Sequence, residues 1–421
     1  MLNPWKRPPL KAGAGGPASR SSSAPVTLGG RPWPIELETL HLLTAGSTGA
    51  GKSTLIEEVL DGVFKRGERA IVCDPNGAYF SKFGTDEDRL LNPLDARSER
   101  WSLFNELRSD FDADRLACSV VPAGHGESAP WHHYAQVLLA EVLRALVRAG
   151  ETSTDRLLYW STCAPARDLE ALLVGTPASG LFDEGADKAL ASTRFLLTAH
   201  LAPQRYLRPG EFGLREWLEN GSGSLFLTWR ADMQRALAPL LACWVDIVTN
   251  AVLTLPPDPN RRIWLVLDEL AALGKLDGLE AALTLGRKHG LAIIAGVQST
   301  SQLDRLYGRD SATVLRSCFR NLAVLAIAKG DPTTADELSR ALGEREILRR
   351  ERSSSLGSSG LGESESLRQV QERLVLPSEI AGLRNLEGYL ALAGDAPVAR
   401  FRLAPQVRAQ RRPPFIPEDA C

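Results

Sequence analysis

The chain has 421 residues, with 49 Lys and Arg against 51 Asp and Glu and 44% hydrophobic residues. That length suits two or three globular units with real apolar cores and excludes disorder of the whole chain. A formal charge of −2 excludes a broadly basic nucleic-acid coat, so any contact with DNA has to be local.

Forty of the cations are arginines, which suits bidentate phosphate contacts or simply follows genome base composition. The six cysteines, Cys73, Cys118, Cys163, Cys243, Cys318 and Cys421, lie far apart with no paired spacing, the usage of a reducing compartment. No uncharged apolar run reaches the roughly 18 residues that a membrane span needs, and no signal-peptide core is visible.

In chain order, residues 1–34 are rich in Pro, Gly and Ser, carry Lys6, Arg7, Lys11, Arg20 and Arg31 and no acid, and are expected to form a flexible basic tail. It reads either as a solvated leader or as a segment drawn to anionic lipid or DNA. From Leu40, short apolar runs alternate with helical stretches, the pattern of an α/β fold with a mostly parallel sheet. The expected strands are His41–Ala45, Ala70–Asp74, Ser224–Thr228, Ile263–Asp268, Ala292–Val297 and Leu322–Ile327, all apolar enough to be buried on both faces. Between Asp95 and about Pro209 the strands stop, and residues such as Leu138, Leu139, Val142, Leu143 and Leu146 recur at helical spacing, which predicts an all-α insertion. Ser353–Ser366, dominated by serine and glycine, is expected to be a mobile loop, and 406–421 a C-terminal tail.

The segment Gly46-Ser47-Thr48-Gly49-Ala50-Gly51-Lys52-Ser53, continued by Thr54, lies between the first expected strand and a helix. Glycines there let successive N–H groups surround phosphates, and the helix N-terminus adds a favourable field. Lys52 is expected to reach the β- and γ-phosphates of ATP, and the Ser53 hydroxyl to sit on Mg2+. The strand Ile263–Leu267 runs into Asp268 and Glu269. Asp268 would hold Mg2+ and Glu269 would polarise the attacking water, unless the two acids merely cap the next helix. Gln298 leaves the following strand where open α/β sheets place ligands, either as a sensor of the γ-phosphate or as an ordinary polar strand end. Arg287, in the cluster Arg287-Lys288-His289, either steadies a helix C-terminus or serves as an arginine finger for a neighbouring subunit, with Arg320 as a second candidate.

With these elements in order, the chain resembles the type IV secretion coupling proteins of the TraD/TrwB kind, in the HerA/FtsK group of RecA-like translocases. The resemblance runs from about Pro34 to Leu403. It rests on HLLTAGSTGAGKS, Asn92-Pro93-Leu94-Asp95-Ala96-Arg97, Pro257-Asp258-Pro259-Asn260-Arg261-Arg262, Gly296-Val297-Gln298-Ser299-Thr300-Ser301-Gln302-Leu303 and Leu376-Pro377-Ser378-Glu379-Ile380.

It implies a RecA-like P-loop NTPase domain over 35–96 and 210–405, with an all-α domain over 97–209 facing the relaxosome, and a homo-hexameric ring that passes DNA. It also implies Lys52 and Ser53 as phosphate and Mg2+ ligands, Asp268 and Glu269 as metal and water residues, Gln298 as sensor and Arg287 as the finger in trans. Two departures stand out. Family members usually carry N-terminal transmembrane helices where this chain has its polar tail, so the expected location is the cytoplasm, or the cytoplasmic face of the inner membrane by peripheral docking. Where the family commonly reads Asp-Pro-Lys-Gly-Glu, this chain reads Asp74-Pro75-Asn76-Gly77-Ala78, which removes a cation and an acid from that turn.

The expected function is an ATPase that couples hydrolysis to DNA translocation, linking a relaxase-DNA substrate to a conjugative secretion channel. Its rivals are a motor of the same chemistry outside conjugation, and an ATP- and DNA-binding assembly receptor with negligible turnover.

Overall fold

Along each central strand, successive side chains enter different cores, and both cores are apolar. In the computed structural model, which describes residues 24–418 except 125, 358 and 359, Leu42, Ala70, Val72, Trp264, Val266 and Ile294 meet Leu55, Ile56, Val59 and Leu60 of the helix Lys52–Lys65. Their strand neighbours Leu43, Ile71, Leu265 and Ile293 enter a second, larger core shared with the helical region. Helices therefore cover both faces, and the strands read as continuous apolar runs.

The strands in chain order are β1 (Thr27–Leu28), β2 (Arg31–Pro32), β3 (Leu42–Ala45), β4 (Arg69–Pro75), β5 (Arg89–Leu91), β6 (Leu225–Trp229), β7 (Ile263–Leu267), β8 (Leu291–Val297), β9 (Asn321–Leu325), β10 (Glu344–Gly357), β11 (Gly360–Arg373), β12 (Glu387–Ala391) and β13 (Ala399–Arg402). Among the described residues, nine form one sheet in the order β13-β12-β9-β3-β8-β7-β4-β6-β5. From β9 to β5 every pairing is parallel; β12 and β13 close the other edge antiparallel. The register Ala45↔Val297 and Leu267↔Ala295 brings the carboxyl ends of β3, β8 and β7 close to one level.

Between β5 and β6 the chain is helical from Leu103 to Asn220. Its longest helix, Ala129–Arg148, buries Leu138, Leu139, Val142, Leu143 and Leu146, and Arg144 ties it by ion pairs to Asp110 and Asp114 on the helix Asp110–Val120. The helix Gln234–Thr254, which follows β6, is long and apolar enough to cross a membrane by length and composition. About two-thirds of its apolar stretch is buried inside the fold, as suits a core helix.

The six expected strands appear as β3, β4, β6, β7, β8 and β9, each end within about two residues. Three expectations need correction. Residues 1–23 of the basic tail lie outside the described residues, but its last part is core: Val26, Leu28 and Trp33 are buried, and Trp33 meets Trp264 edge-on at 5.7 Å. The Ser/Gly segment is not a structureless loop. Apart from 358 and 359, outside the described residues, it continues the antiparallel ladder of β10 and β11, because ladder hydrogen bonds come from the backbone and need no particular side chain. Residues 406–418 are bound across the surface: Arg411 N–H donates to Ser81 O (2.8 Å), Arg97 donates to Pro413 O (2.8 Å), Ala96 N–H donates to Ile416 O (2.9 Å), and Glu418 pairs with Arg208 (2.7 Å).

His41, just before β3, is buried. Its Nε2 lies 2.9 Å from Leu283 O, and its Nδ1 accepts from Ile293 N–H at 3.1 Å, so the ring bridges two elements as a neutral imidazole donating from Nε2. Burial lowers its pKa to about 4. A depressed histidine contributes stability that is complete above its unfolded value of 6.5 and lost as pH falls towards 4, with an upper bound of about 3 kcal/mol. Urea unfolding followed between pH 7 and 4 is expected to show a steeper acid loss for the wild type than for H41Q; equal slopes would rule this out.

Candidate active site

The phosphate loop forms where β3 ends at the centre of the sheet. Gly46 N–H donates to Val297 O (3.1 Å) and Ser47 N–H to Ala326 O (2.9 Å), so neighbouring strands anchor the loop's start. Gly49 and Gly51 then take φ of 78° and 115°, a region that side chains disfavour, and turn the chain into the helix Lys52–Lys65. The result is a cleft of about 300 Å3 lined by Thr48, Gly49, Gly51, Lys52, Ser53, Thr54, Asp268, Glu269, Gln298 and Leu386.

Of the sequence-predicted residues, Thr48, Gly49, Gly51, Lys52, Ser53, Thr54, Asp268, Glu269 and Gln298 line this cleft; Gly46, Ser47 and Ala50 belong to the loop but not to the lining, and Arg287 lies elsewhere. Lys52 Nζ lies 2.6 Å from Gly46 O and 3.4 Å from Ser47 O; burial lowers its pKa, opposed by the carboxylates of Glu269 and Asp268. The Ser53 hydroxyl donates to Asp268 Oδ2 at 3.1 Å, placing both expected Mg2+ ligands at one point. Gln298 Nε2 donates to Glu269 Oε2 at 2.6 Å, while its Oε1 accepts from the Thr48 hydroxyl at 3.2 Å. One amide thus spans the phosphate loop and the acid. It can do so because β8 lies between β3 and β7 and because Gly296 has no side chain: a Cβ there would come within 1.9 Å of Asp268 O.

Glu269 is half-buried in the cleft. Burial raises its pKa, with the Gln298 bond and the charge of Lys52 pulling the other way. Its second oxygen, Oε1, is buried with no protein partner, leaving a lone pair for an incoming proton. The Ser53–Asp268 pair, the donor-rich loop and this unpartnered oxygen together fit Mg2+ and a polyphosphate.

Arg287 stands apart. It is exposed in the turn Gly286–His289 before β8, at the amino edge of the sheet, whereas the phosphate loop lies at the carboxyl edge. The seven residues of β8 separate the two by roughly 20 Å of strand. Arg320 likewise precedes its strand, β9.

Sequence reasoning passed over Leu386, Asp74 and Tyr79. Leu386 lines the cleft with φ of 69°, and its N–H donates to Ala50 O at 2.8 Å, pinning the loop from the antiparallel edge; no local pattern marks it. Asp74, the penultimate residue of β4 beside β7, is fully buried and accepts from the N–H groups of Tyr79 (3.0 Å) and Phe80 (2.7 Å). Burial pushes its pKa up to about 7 against those two bonds. The available signal was an acid at the exit of an apolar strand, as at Asp268. In the departing turn, Asn76 Oδ1 accepts from Ala231 N–H at 3.0 Å, a backbone contact in the place of the family's charge.

A phosphate cradle on the central strand, an Asp-Glu pair two strands away and a glutamine at the exit of the strand between define a P-loop NTPase fold of the RecA-like type, here carrying an all-α region. The chain belongs to the type IV secretion-system coupling proteins: the DNA-binding domain of that family matches residues 25–404. It is similar to the solved conjugative coupling protein TrwBdeltaN70, with 44% identity, a TM-score of 0.88 and coverage of 94% of this chain and 93% of that one. It is equally similar to TrwB solved with ADP and Mg2+, at 44% identity and a TM-score of 0.87 over 95% and 94% of the two chains. Coupling protein TraD of Escherichia coli K12 is 29% identical over 407 residues, 94% of this chain and 56% of TraD. The chain thus spans little more than half the length of that relative.

Proposed function

We propose that this protein is an ATP-dependent DNA translocase subunit, a coupling protein that links a relaxase-bound DNA substrate to a conjugative type IV secretion channel from the cytoplasmic side. The observation that carries this reading is the Glu269–Gln298 pair beside the phosphate cradle, in a chain of the coupling-protein family. TrwB structures with ADP and Mg2+ and with the ATP analogue ADPNP support ATP and Mg2+ as the ligands here.

Ser53 and Asp268 would hold Mg2+, which when bound draws charge off the phosphate oxygens. Lys52 and the loop N–H groups would position the triphosphate, and Glu269 would accept a proton from a water aligned with the γ-phosphorus. Gln298, bonded to both Glu269 and Thr48, would register loss of the γ-phosphate at the sheet. Arg287 would complete the site of the next subunit in a homo-hexameric ring. Its exposed place at the far sheet edge supports action in trans.

The test is ATP hydrolysis measured with and without single-stranded DNA across a size-resolved sample. The expected result is turnover concentrated in an oligomeric fraction and raised severalfold by DNA. A folded protein that binds nucleotide with no turnover in any fraction would instead support an assembly receptor.

A further inference from the structure

Tyr79 is 1% exposed, at the start of the short helix Ala78–Phe83. The Asp74 carboxylate holds its backbone N–H at 3.0 Å and that of Phe80 at 2.7 Å. Because Cys73 pairs with Leu267 in the ladder of β4 and β7, the next residues, Asp74 and Asp268, sit side by side at the carboxyl edge. From that anchored position the buried Tyr79 hydroxyl comes close to Asp268 and Ser53 without reaching hydrogen-bond geometry with either. A buried hydroxyl without a partner is costly, and phenylalanine would pack the same space without that cost.

We propose that Tyr79 is the positioning residue of the metal site, its hydroxyl donating to the Asp268 carboxylate when Ser53 and Asp268 hold Mg2+. This rests on the nucleotide-hydrolysis reading above. Ser53 now donates to Asp268; once its oxygen turns to a cation, the carboxylate needs another donor to fix its orientation. Tyr79 lies beside it, on a backbone already locked by Asp74. Carboxylate ligands held by such outer partners typically lose 10- to 100-fold in metal affinity or activity when the partner is removed.

The test uses the full chain, a fluorescent ADP analogue and a MgCl2 titration. For Y79F the Mg2+ concentration at half-maximal binding is expected to rise about tenfold or more, while affinity for the analogue in EDTA stays within twofold of wild type. The melting temperature in EDTA should be unchanged or higher, since only an unpartnered hydroxyl is lost, and the Mg2+-dependent rise in melting temperature should shrink. Y79M, which keeps apolar bulk without the hydroxyl, should behave in the same way. A Y79F midpoint within twofold of a Mg2+-dependent wild type overturns this inference alone. A wild type that binds no analogue at any Mg2+ concentration overturns the hydrolysis reading and this inference with it.

Discussion

E269Q is expected to retain ATP binding and to lose DNA-stimulated hydrolysis by about two to four orders of magnitude, the range supplied by a general base. The substitution keeps the shape of the side chain and an oxygen for the Gln298 amide, now 2.6 Å from Glu269 Oε2. It removes the capacity to take a proton at the partner-free oxygen Oε1. Burial raises the Glu269 pKa above its ordinary 4.5, so the acid limb of the wild-type rate should lie at higher pH than for an exposed glutamate. Single-turnover hydrolysis beside nucleotide binding checks both halves, and a rate within threefold of wild type would remove Glu269 from the chemistry.

R287A is expected to be at least as severe, with turnover falling by about three orders of magnitude or more, the effect of losing an arginine finger, and nucleotide affinity little changed. A strand's length separates Arg287 from its own phosphate loop, so the proposed finger role would have to be exercised on a neighbouring copy. Mixing supplies the discriminating measurement. K52A subunits have an intact Arg287 and R287A subunits an intact nucleotide site, so a mixture of two inactive proteins should recover part of the activity. No recovery in co-assembled oligomers would exclude the role in trans.

Much of the fold was legible because its centre obeys simple rules. β3, β4, β6, β7, β8 and β9 are buried on both faces and so appear in sequence as apolar runs. β5 has only three residues, and β12, Glu387–Ala391, is an antiparallel strand with a glycine and an alternating burial pattern, so it lacks the continuous apolar run of the central strands. β10 and β11 were hidden by composition, since serine and glycine signal loops even where the backbone pairs. At the site, the phosphate loop and the Asp268-Glu269 pair were readable because their chemistry requires fixed local spacing. The Gln298–Glu269 bond depends on β8 lying between β3 and β7, a fact of topology. Leu386 reaches the cleft from about 330 residues along the chain, and only the folded sheet places it there.

The bound segment 406–418 also has a mechanical meaning. It leaves β13 at Leu403, whose N–H donates to Leu386 O beside the phosphate loop, passes Asp61, Phe83 and Gly77, and ends on Arg208 in the helical region. A tether with one end at the nucleotide cleft and the other on the helices makes rotation between them a peeling process. Each attachment is a single hydrogen bond or ion pair worth about 1 kcal/mol, so detachment would advance inward one contact at a time from Glu418. Resistance to such a swing would therefore build in small steps, like a zipper opening, and not as a single latch giving way.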